Sequence, residues 1–426
     1  VAGGDLVKVD VVASVDAIEA ALLAGKHAAA LTVQRQPPGI TETMAAAAVK
    51  QGETLLNTPI AVSWPGGSAK LDRGDLLKAL TIRTQPGRQD PFVFGLDRKI
   101  VGDRLDEIAQ SYDVPVQDAQ FRIIDGQFAV ASKEQAGRAL DIPSGVDSVV
   151  AAFGQAKPAV TLRSVTLPPQ WTAADLSKIA LGDDILGEAG TYYGDSSAAR
   201  RNNVNRASTL ETGWLIPPGG VYSYADHARP VDESNGFVTG FGIIQDGGGF
   251  TTAPVVGGGI CQVSTTIFQA AYWAGLPIVE RVQHPYYYRI YGEAVNGLPG
   301  LDAMVNIEPD WTLDFKFKNT TGHWLAVIVI ADGQNVWSRM VGTDPGWHID
   351  VTDPVITNRV SPGTDMRYED SSELPAGQSM VVETAHDGFD VAFDRTVTDK
   401  TGKVIDTYHL SSSFAPAYNV TLRGTG

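Results

Sequence analysis

The sequence predicts an α+β, multi-domain chain, and three observations carry that prediction. A segment of mixed helix and strand character recurs, so that residues 9–41 align without a gap to residues 140–172. A glycine-rich loop, Gly257-Gly-Gly-Ile-Cys-Gln262, runs into a helix-like stretch from Val263 to Ala274. Beyond Trp347 the composition shifts to short alternating runs separated by turn residues, the pattern of a small all-β module. At 426 residues the chain has room for two to four domains of ~100–200 residues each.

The repeat comes first along the chain. Its identities include Asp10/Asp141, Val15/Val146, Asp16/Asp147, Ala20/Ala151, Leu31/Leu162, Pro37/Pro168, Pro38/Pro169 and Thr41/Thr172. Each copy reads as a capped helix starting near Val15/Asp16 or Val146/Asp147. A turn and a strand (Ala28 to Val33, Val160 to Val165) follow, then a Pro-Pro stop. Residues 1–41 are then the tail half of one unit, and 42–172 a complete one. A half unit cannot bury its own apolar face, so 1–41 is expected to pack on something or fray. Inside the complete unit, Pro59–Trp64 and Ser68–Leu71 predict a hairpin around Pro65-Gly-Gly67. Asp72–Leu80 and Asp103–Tyr112 predict helices. Ala119–Ile124 and Gln127–Ala131 predict a second hairpin around Asp125-Gly126. The remaining expected domains are 173–350, which holds the cysteine, and 351–426, the β module.

Bulk numbers exclude some functions. Lys and Arg total 33 against 49 Asp and Glu, a net charge of −16. That argues against nucleic acid as a partner and against electrostatic docking on anionic membranes or wall polymers. No run of ~20 apolar residues is present, so no membrane span is expected. Val1 is not methionine, and the first residues have neither a basic start nor an apolar stretch. The chain therefore reads as a processed piece, with membrane contact only through an anchor outside it.

Cys261 is the only cysteine. Unpaired N–H groups and the positive end of the dipole at a helix start favour its thiolate. The duller alternative is a small buried hydrophobe. His284 follows the strand-like Ile278–Val282, and Asp302 precedes another strand-like run, Ala303–Ile307. Thiol, imidazole and carboxylate so arranged fit a cysteine-nucleophile layout: Cys261 attacks, His284 handles the proton, and Asp302 orients the ring. Backbone N–H groups of Cys261 and of Gly258 or Gly259 are candidate oxyanion donors. His284 is otherwise a hydrogen-bonded strand-end residue, and Asp302 a turn cap. His227 and Asp226 are the rival base and orienter. Arg281 either binds a substrate carboxylate or makes a structural ion pair. Tyr222 and Tyr224 either line the cleft or sit in the core. Thr265, four residues after Cys261, is placed to support the site. The seven histidines are scattered and there is no HExxH, CxxC, P-loop lysine or dinucleotide fingerprint, so no metal or cofactor is expected.

Two resemblances add to this reading. The pattern Ala-x-Phe, Asp-Gly-x-Phe-x-Val, Gly-x-x-Leu-Asp, helix and Pro-Pro resembles the peptidoglycan-binding repeats that precede VanW domains. It implies either glycan contact or a spacer. Thr191-Tyr-Tyr, Arg201-Asn-Asn-Val-Asn205, Ile216–Tyr224, Gly236-Phe-Val, Gly257–Thr266, Ala274–Arg281, His284 and Leu301–Val305 are similar, in order, to the VanW domain. That resemblance covers about 190–340. It implies L,D-transpeptidation of peptidoglycan with Cys261 as nucleophile, taking an acyl group from a tetrapeptide stem and passing it to a side-chain amine. The alternatives left open are a cysteine peptidase or amidase on stem peptides and a non-catalytic peptidoglycan- or glycopeptide-binding protein. The C-terminal segment resembles a small extracellular β module named for its glycines. The implied partners are stem peptides and glycan, and the implied location is extracellular, at the cell wall or the outer face of the membrane.

Overall fold

The computed structural model describes all residues except 1–5, 37–38, 86–87, 247–248, 309, 363–365 and 372–373. The expected stop at Pro37 and Pro38 therefore lies outside the described residues. The fold is mixed α+β, and the chain divides into two compact units. One comprises 1–118 and 134–170, the other 119–133 and 171–426.

The repeat is visible element by element in the first unit. Strand Leu6–Val9, helix Val11–Leu23 and strand Val33–Gln36 recur as Gly137–Leu140, Ile142–Ala152 and Ser164–Leu167, with the two strands antiparallel in both copies. The helices begin earlier than Val15 and Val146. Asp10 accepts from Ala13 N at 3.0 Å, and Asp141 accepts from Ser144 N at 3.2 Å. An aspartate at this position satisfies an orphan helix N–H, and so sets the start. The copies differ in burial. Val146, Val149 and Ala152 are buried, while Val11, Val12, Leu22 and Leu23 are exposed. The second copy packs into an aliphatic core with Leu56, Ile60, Val62, Leu76 and Leu105.

That core is closed by helices Glu42–Leu56, Arg73–Ala79 and Arg98–Ala109, capped by Thr41, Asp72 and Asp97. The last begins five residues before the expected Asp103, again because an aspartate precedes it. The hairpin Ile60–Trp64/Gly67–Leu71 forms as expected. A hairpin not anticipated, Leu80–Thr84/Phe92–Leu96, follows directly on a helix. No glycine or proline separates the two, so the sequence carries no boundary signal there.

The second unit is built on a six-stranded antiparallel sheet. Its order is Asp184–Tyr192, Asn335–Gly342, Leu325–Ala331, Trp214–Ile216, Gln120–Ile124, Gln127–Ser132. The last two strands are the hairpin expected around Asp125-Gly126, which turns with φ of 51° and 75° at those residues, the left-handed pair of a tight two-residue turn. Helix Ile260–Trp273 packs on the first two strands and is buried from Gln262 to Tyr272. Residues beyond Trp347 form two sheets, one centred on Gly388–Thr398 and one on Asn419–Gly424. Arg395, fully buried, fastens the first to the helix end. It donates to Tyr272 O (2.7 Å), Leu276 O (3.0 Å) and Asp406 (2.7 Å). Among the described residues no helix is long and apolar enough to cross a membrane.

Candidate active site

Three consecutive glycines set the entry to the cysteine helix. Gly259 is its N-cap at φ 122°, a conformation L side chains rarely adopt. A Cβ on Gly258 would stand 2.6 Å from Phe241 O. The Gly258 N–H donates to Val255 O at 3.3 Å, and its carbonyl accepts from Asn203 Nδ2 at 3.0 Å. This corrects the expectation that Gly258 is an oxyanion donor: its hydrogen is committed, and glycine is required there for close approach. Among the described residues no acceptor engages the N–H groups of Gly259 and Cys261, as expected at an open helix start.

The polar residues after Cys261 hold the segment that carries Asp302. Ser264 Oγ donates to Ala303 O at 3.0 Å. Thr265 Oγ1 donates to the same carbonyl at 3.2 Å and accepts from Ala303 N at 3.1 Å. Gln269 Nε2 donates to Leu301 O at 2.8 Å and Tyr291 O at 2.9 Å. Gln262 Nε2 reaches Thr191 Oγ1 and Tyr192 O at 3.1 and 2.9 Å. A buried hydroxyl or amide needs a partner, and here the partners are backbone groups of neighbouring elements and, for Gln262, the Thr191 hydroxyl as well. Thr265 is therefore a support, fully buried, and not a substrate contact.

Cys261, His284 and Asp302 converge. Cys261 Sγ donates to Val305 O at 3.2 Å and shares a side-chain hydrogen bond with His284. His284 Nδ1 lies 2.5 Å from Asp302 Oδ2, and the same oxygen accepts from His284 N at 2.7 Å. With Nδ1 so engaged, Nε2 is the nitrogen left for sulfur. The other carboxylate oxygen, Oδ1, accepts from Arg281 Nη2 at 2.9 Å. His284 and Asp302 are buried. Burial pushes the His284 imidazole down, but the hydrogen bonds with Asp302 and Cys261 and their charges outweigh it and raise it to about 9. Burial pushes the Cys261 thiol up. The His284 hydrogen bond and charge, with the Arg200 charge, bring it below its ordinary value. The arrangement thus favours a thiolate–imidazolium pair.

Other expected residues fall elsewhere. Arg281 makes the structural ion pair, the second of its two expected roles. Besides Asp302 Oδ1 it donates to Asp302 O and Gly300 O, each at 2.7 Å, and to Ser412 Oγ at 2.9 Å. A guanidinium has five donors in a fixed fork, and this one spends them on Asp302 and its loop. Tyr222, expected as a substrate contact, is fully buried and donates to Glu211 Oε2 at 2.5 Å. Tyr224 is also buried and donates to Ile260 O at 3.1 Å, one residue before the cysteine. His227, the rival base, stacks on Trp214 with centroids 4.0 Å apart, and burial pushes it down to about 3. Its nearest carboxylate, Glu211 Oε2 at 3.4 Å, is an ion-pair partner only for a charged ring, and burial keeps this ring neutral. Asp226 is exposed.

Two site residues were not anticipated. Arg200 Nη2 donates to Gln262 Oε1 at 2.9 Å, shares a side-chain hydrogen bond with Tyr291, and places its charge near Cys261. Tyr291 is buried, with its ring 5.3 Å from that of His284. The signal for Arg200 was its position directly before Arg201-Asn-Asn-Val-Asn205. Nothing local marked Tyr291. Among the described residues no group of three or more His, Cys, Asp or Glu is arranged to hold a metal ion.

A cysteine at a helix start, with a carboxylate-oriented histidine on adjoining segments, is the class of site this fold presents. Residues 199–341 match the family described as VanW like protein, and residues 70–161 match the family described as "Putative peptidoglycan binding domain". The chain therefore carries a VanW-like domain and a peptidoglycan-binding-type domain. Its similarity extends to "Uncharacterized protein YoaR" of Bacillus subtilis (strain 168), at 27% identity over 172 residues, 39% of this chain and 50% of that protein. The chain thus spans about half the length of this curated relative. An Enterococcus faecium L,D-transpeptidase mutant is 16% identical, with 49% of this chain and 75% of that one covered, at a TM-score of 0.19. The G5 domain of IgA1 protease is 15% identical, with 18% of this chain and 92% of that one covered, at a TM-score of 0.11. Scores this low bear no weight on the site.

Proposed function

We propose that the protein is a cysteine-dependent acyltransferase of the cell wall, an L,D-transpeptidase-like enzyme acting on peptidoglycan stem peptides outside the membrane. The observation that carries the proposal is the continuous chain Cys261–His284–Asp302–Arg281. Segments 1–41 and 42–172 serve as wall-binding repeats, 173–350 as the catalytic domain and 351–426 as its β module.

In the first step Sγ of Cys261 attacks the carbonyl carbon of a donor stem. The carbonyl π electrons move onto oxygen, which the N–H groups of Cys261 and Gly259 stabilise. Protonated His284 gives its Nε2 proton to the leaving nitrogen. The C–N bond breaks, D-alanine departs and a thioester remains. Arg200 offers a cationic partner for the terminal carboxylate of the donor. In the second step an amine of a neighbouring stem attacks the thioester, and His284 takes the amine proton. The C–S bond breaks, which restores the thiolate–imidazolium pair.

The test is incubation of the purified chain with disaccharide-tetrapeptides and mass spectrometry of the products. Cross-linked dimers with free D-alanine are expected, and the Cys261→Ala chain yields none. Dimers from the alanine chain would overturn the proposal, and shortened stems without dimers would make the protein a hydrolase.

A further inference from the structure

A cavity of about 450 Å³ opens beside His284. One wall is Val282–Pro285 with Met304, and the other is Ser413–Ala415, from the terminal β segment. We propose that this cavity is the acceptor subsite, which receives the aliphatic chain and terminal amine of a diamino acid on the incoming stem. The proposal deepens the acyl-transfer reading and rests on it for the reaction, though not for the binding.

Four observations carry it. The first is position. The cavity touches His284, the group that must take the amine proton. It also touches Met304, next to Val305, whose carbonyl lies 3.2 Å from Sγ. The second is chemistry. Val282, Pro285, Met304 and Phe414 supply apolar walls that suit a run of methylenes. The third is charge. Among the described residues no Lys or Arg lines the cavity, and Ser413, which does, hydrogen-bonds Asp390 on the paired strand. Hydrogen bonds from Asn358 (2.6 Å) and Ser413 hold the Asp390 carboxyl below its usual range, so it stays negative at neutral pH. An alkyl chain ending in an ammonium is complementary to apolar walls with a carboxylate bonded to one of their residues. The fourth is rigidity. Ala415 N donates to Pro285 O at 2.8 Å, Met304 N donates to Val282 O at 2.8 Å, and Arg281 links Gly300 O to Ser412 Oγ. The walls are tied to each other and to the segment carrying Asp302, and the volume falls in the ~300–1,000 Å³ range of small-molecule sites. On this account the β module is part of the active site and not only a tether.

The test uses the full chain carrying Cys261→Ala, with a stem tripeptide bearing a free side-chain amine as the probe and calorimetry as the readout. Binding is expected, and acetylating that amine weakens it at least tenfold. Ala415→Trp, which fills the cavity from an exposed position, weakens it at least tenfold. Asp390→Asn, a near-isosteric change that guards against misfolding, weakens it at least threefold. Equal binding of the acetylated peptide, or an unchanged dissociation constant in both variants, overturns the proposal. In the chain with Cys261 intact, Ala415→Trp is expected to make the acyl-enzyme accumulate, because the acceptor is not delivered. Loss of acylation would assign the cavity to the donor and also overturn the proposal. If the native chain never acylates yet binds the amine selectively, the acyl-transfer reading fails and the subsite stands.

Discussion

The two units treat polar side chains in opposite ways. Among the described residues of the first unit, Ser14 is the one buried polar side chain, and the core of its complete repeat is Leu, Ile, Val and Ala. Its charged pairs, such as Arg73–Glu53, stand in solvent. The second unit buries Glu211, Gln262, Gln269, His284, Asp302, Asp314 and Arg395. Burying such groups costs several kcal/mol unless each finds a partner. A fold that needed only to hold its shape could use the aliphatic solution of the first unit. In the second, Gln269 and His284 bind the segment that carries Asp302, while Gln262, Glu211, Asp314 and Arg395 tie neighbouring elements of the same unit together.

The contrast predicts where the molecule breaks. The largest effect is expected at His284. Replacing it with alanine removes the proton carrier and the charge that lowers the thiol, and cross-linking is expected to fall by ~10³-fold or more. A rate within tenfold of the native chain would show that the buried trio is not catalytic. Next comes Arg395→Met, which leaves the carbonyls of Tyr272 and Leu276 and the Asp406 carboxylate without their donor. Denaturant titration is expected to show a loss of about 3 kcal/mol. The matching Arg73→Met change in the first unit is expected to leave the midpoint unmoved, because its partner Glu53 is exposed. Equal losses at both positions would erase the distinction. A smaller effect is expected at Arg281. Lysine keeps the charge but cannot span Asp302 Oδ1, Asp302 O and Gly300 O together. Turnover is expected to fall about tenfold through a misplaced imidazole, with donor KM little changed. A rise in KM alone would instead return Arg281 to substrate binding.

How much of this was legible in the sequence follows from what each residue does. Cys261, His284 and Asp302 were legible because their chemistry is intrinsic to the side chain and each sits at the edge of an element whose pattern is local. The all-β character beyond Trp347 was legible from its turns. Arg281 was left between two roles because, besides the Asp302 carboxylate, its acceptors are carbonyls, at Gly300 and Asp302, and every residue has a carbonyl. Gly258 was misassigned because a glycine kept for close approach and one kept as an open donor look alike until Phe241 O is placed beside it. Helix starts were read too late because apolar spacing marks the buried turn, while the capping aspartates at 10, 97 and 141 mark the true end. The hairpin at 120–132 was found, but its membership of the second unit depends on pairing with Trp214 and Leu215, about ninety residues away.

The pair also links pH to folding and reactivity. His284 titrates near 9 in the folded chain against 6.5 for a free imidazole. Its stabilising contribution is therefore complete below about 6.5 and is lost as pH rises through about 9. Cys261 is shifted the other way, so its contribution is present above the ordinary thiol value and is lost as pH falls through its lowered one. The most direct measurement of the central claim is the rate of iodoacetamide alkylation of Cys261 as a function of pH. The account predicts an alkylation rate that rises below the ordinary thiol value of ~8.5, and a His284→Ala chain whose rise moves up to that value or above. A native profile with a single rise near ~8.5, unchanged by His284→Ala, would contradict it.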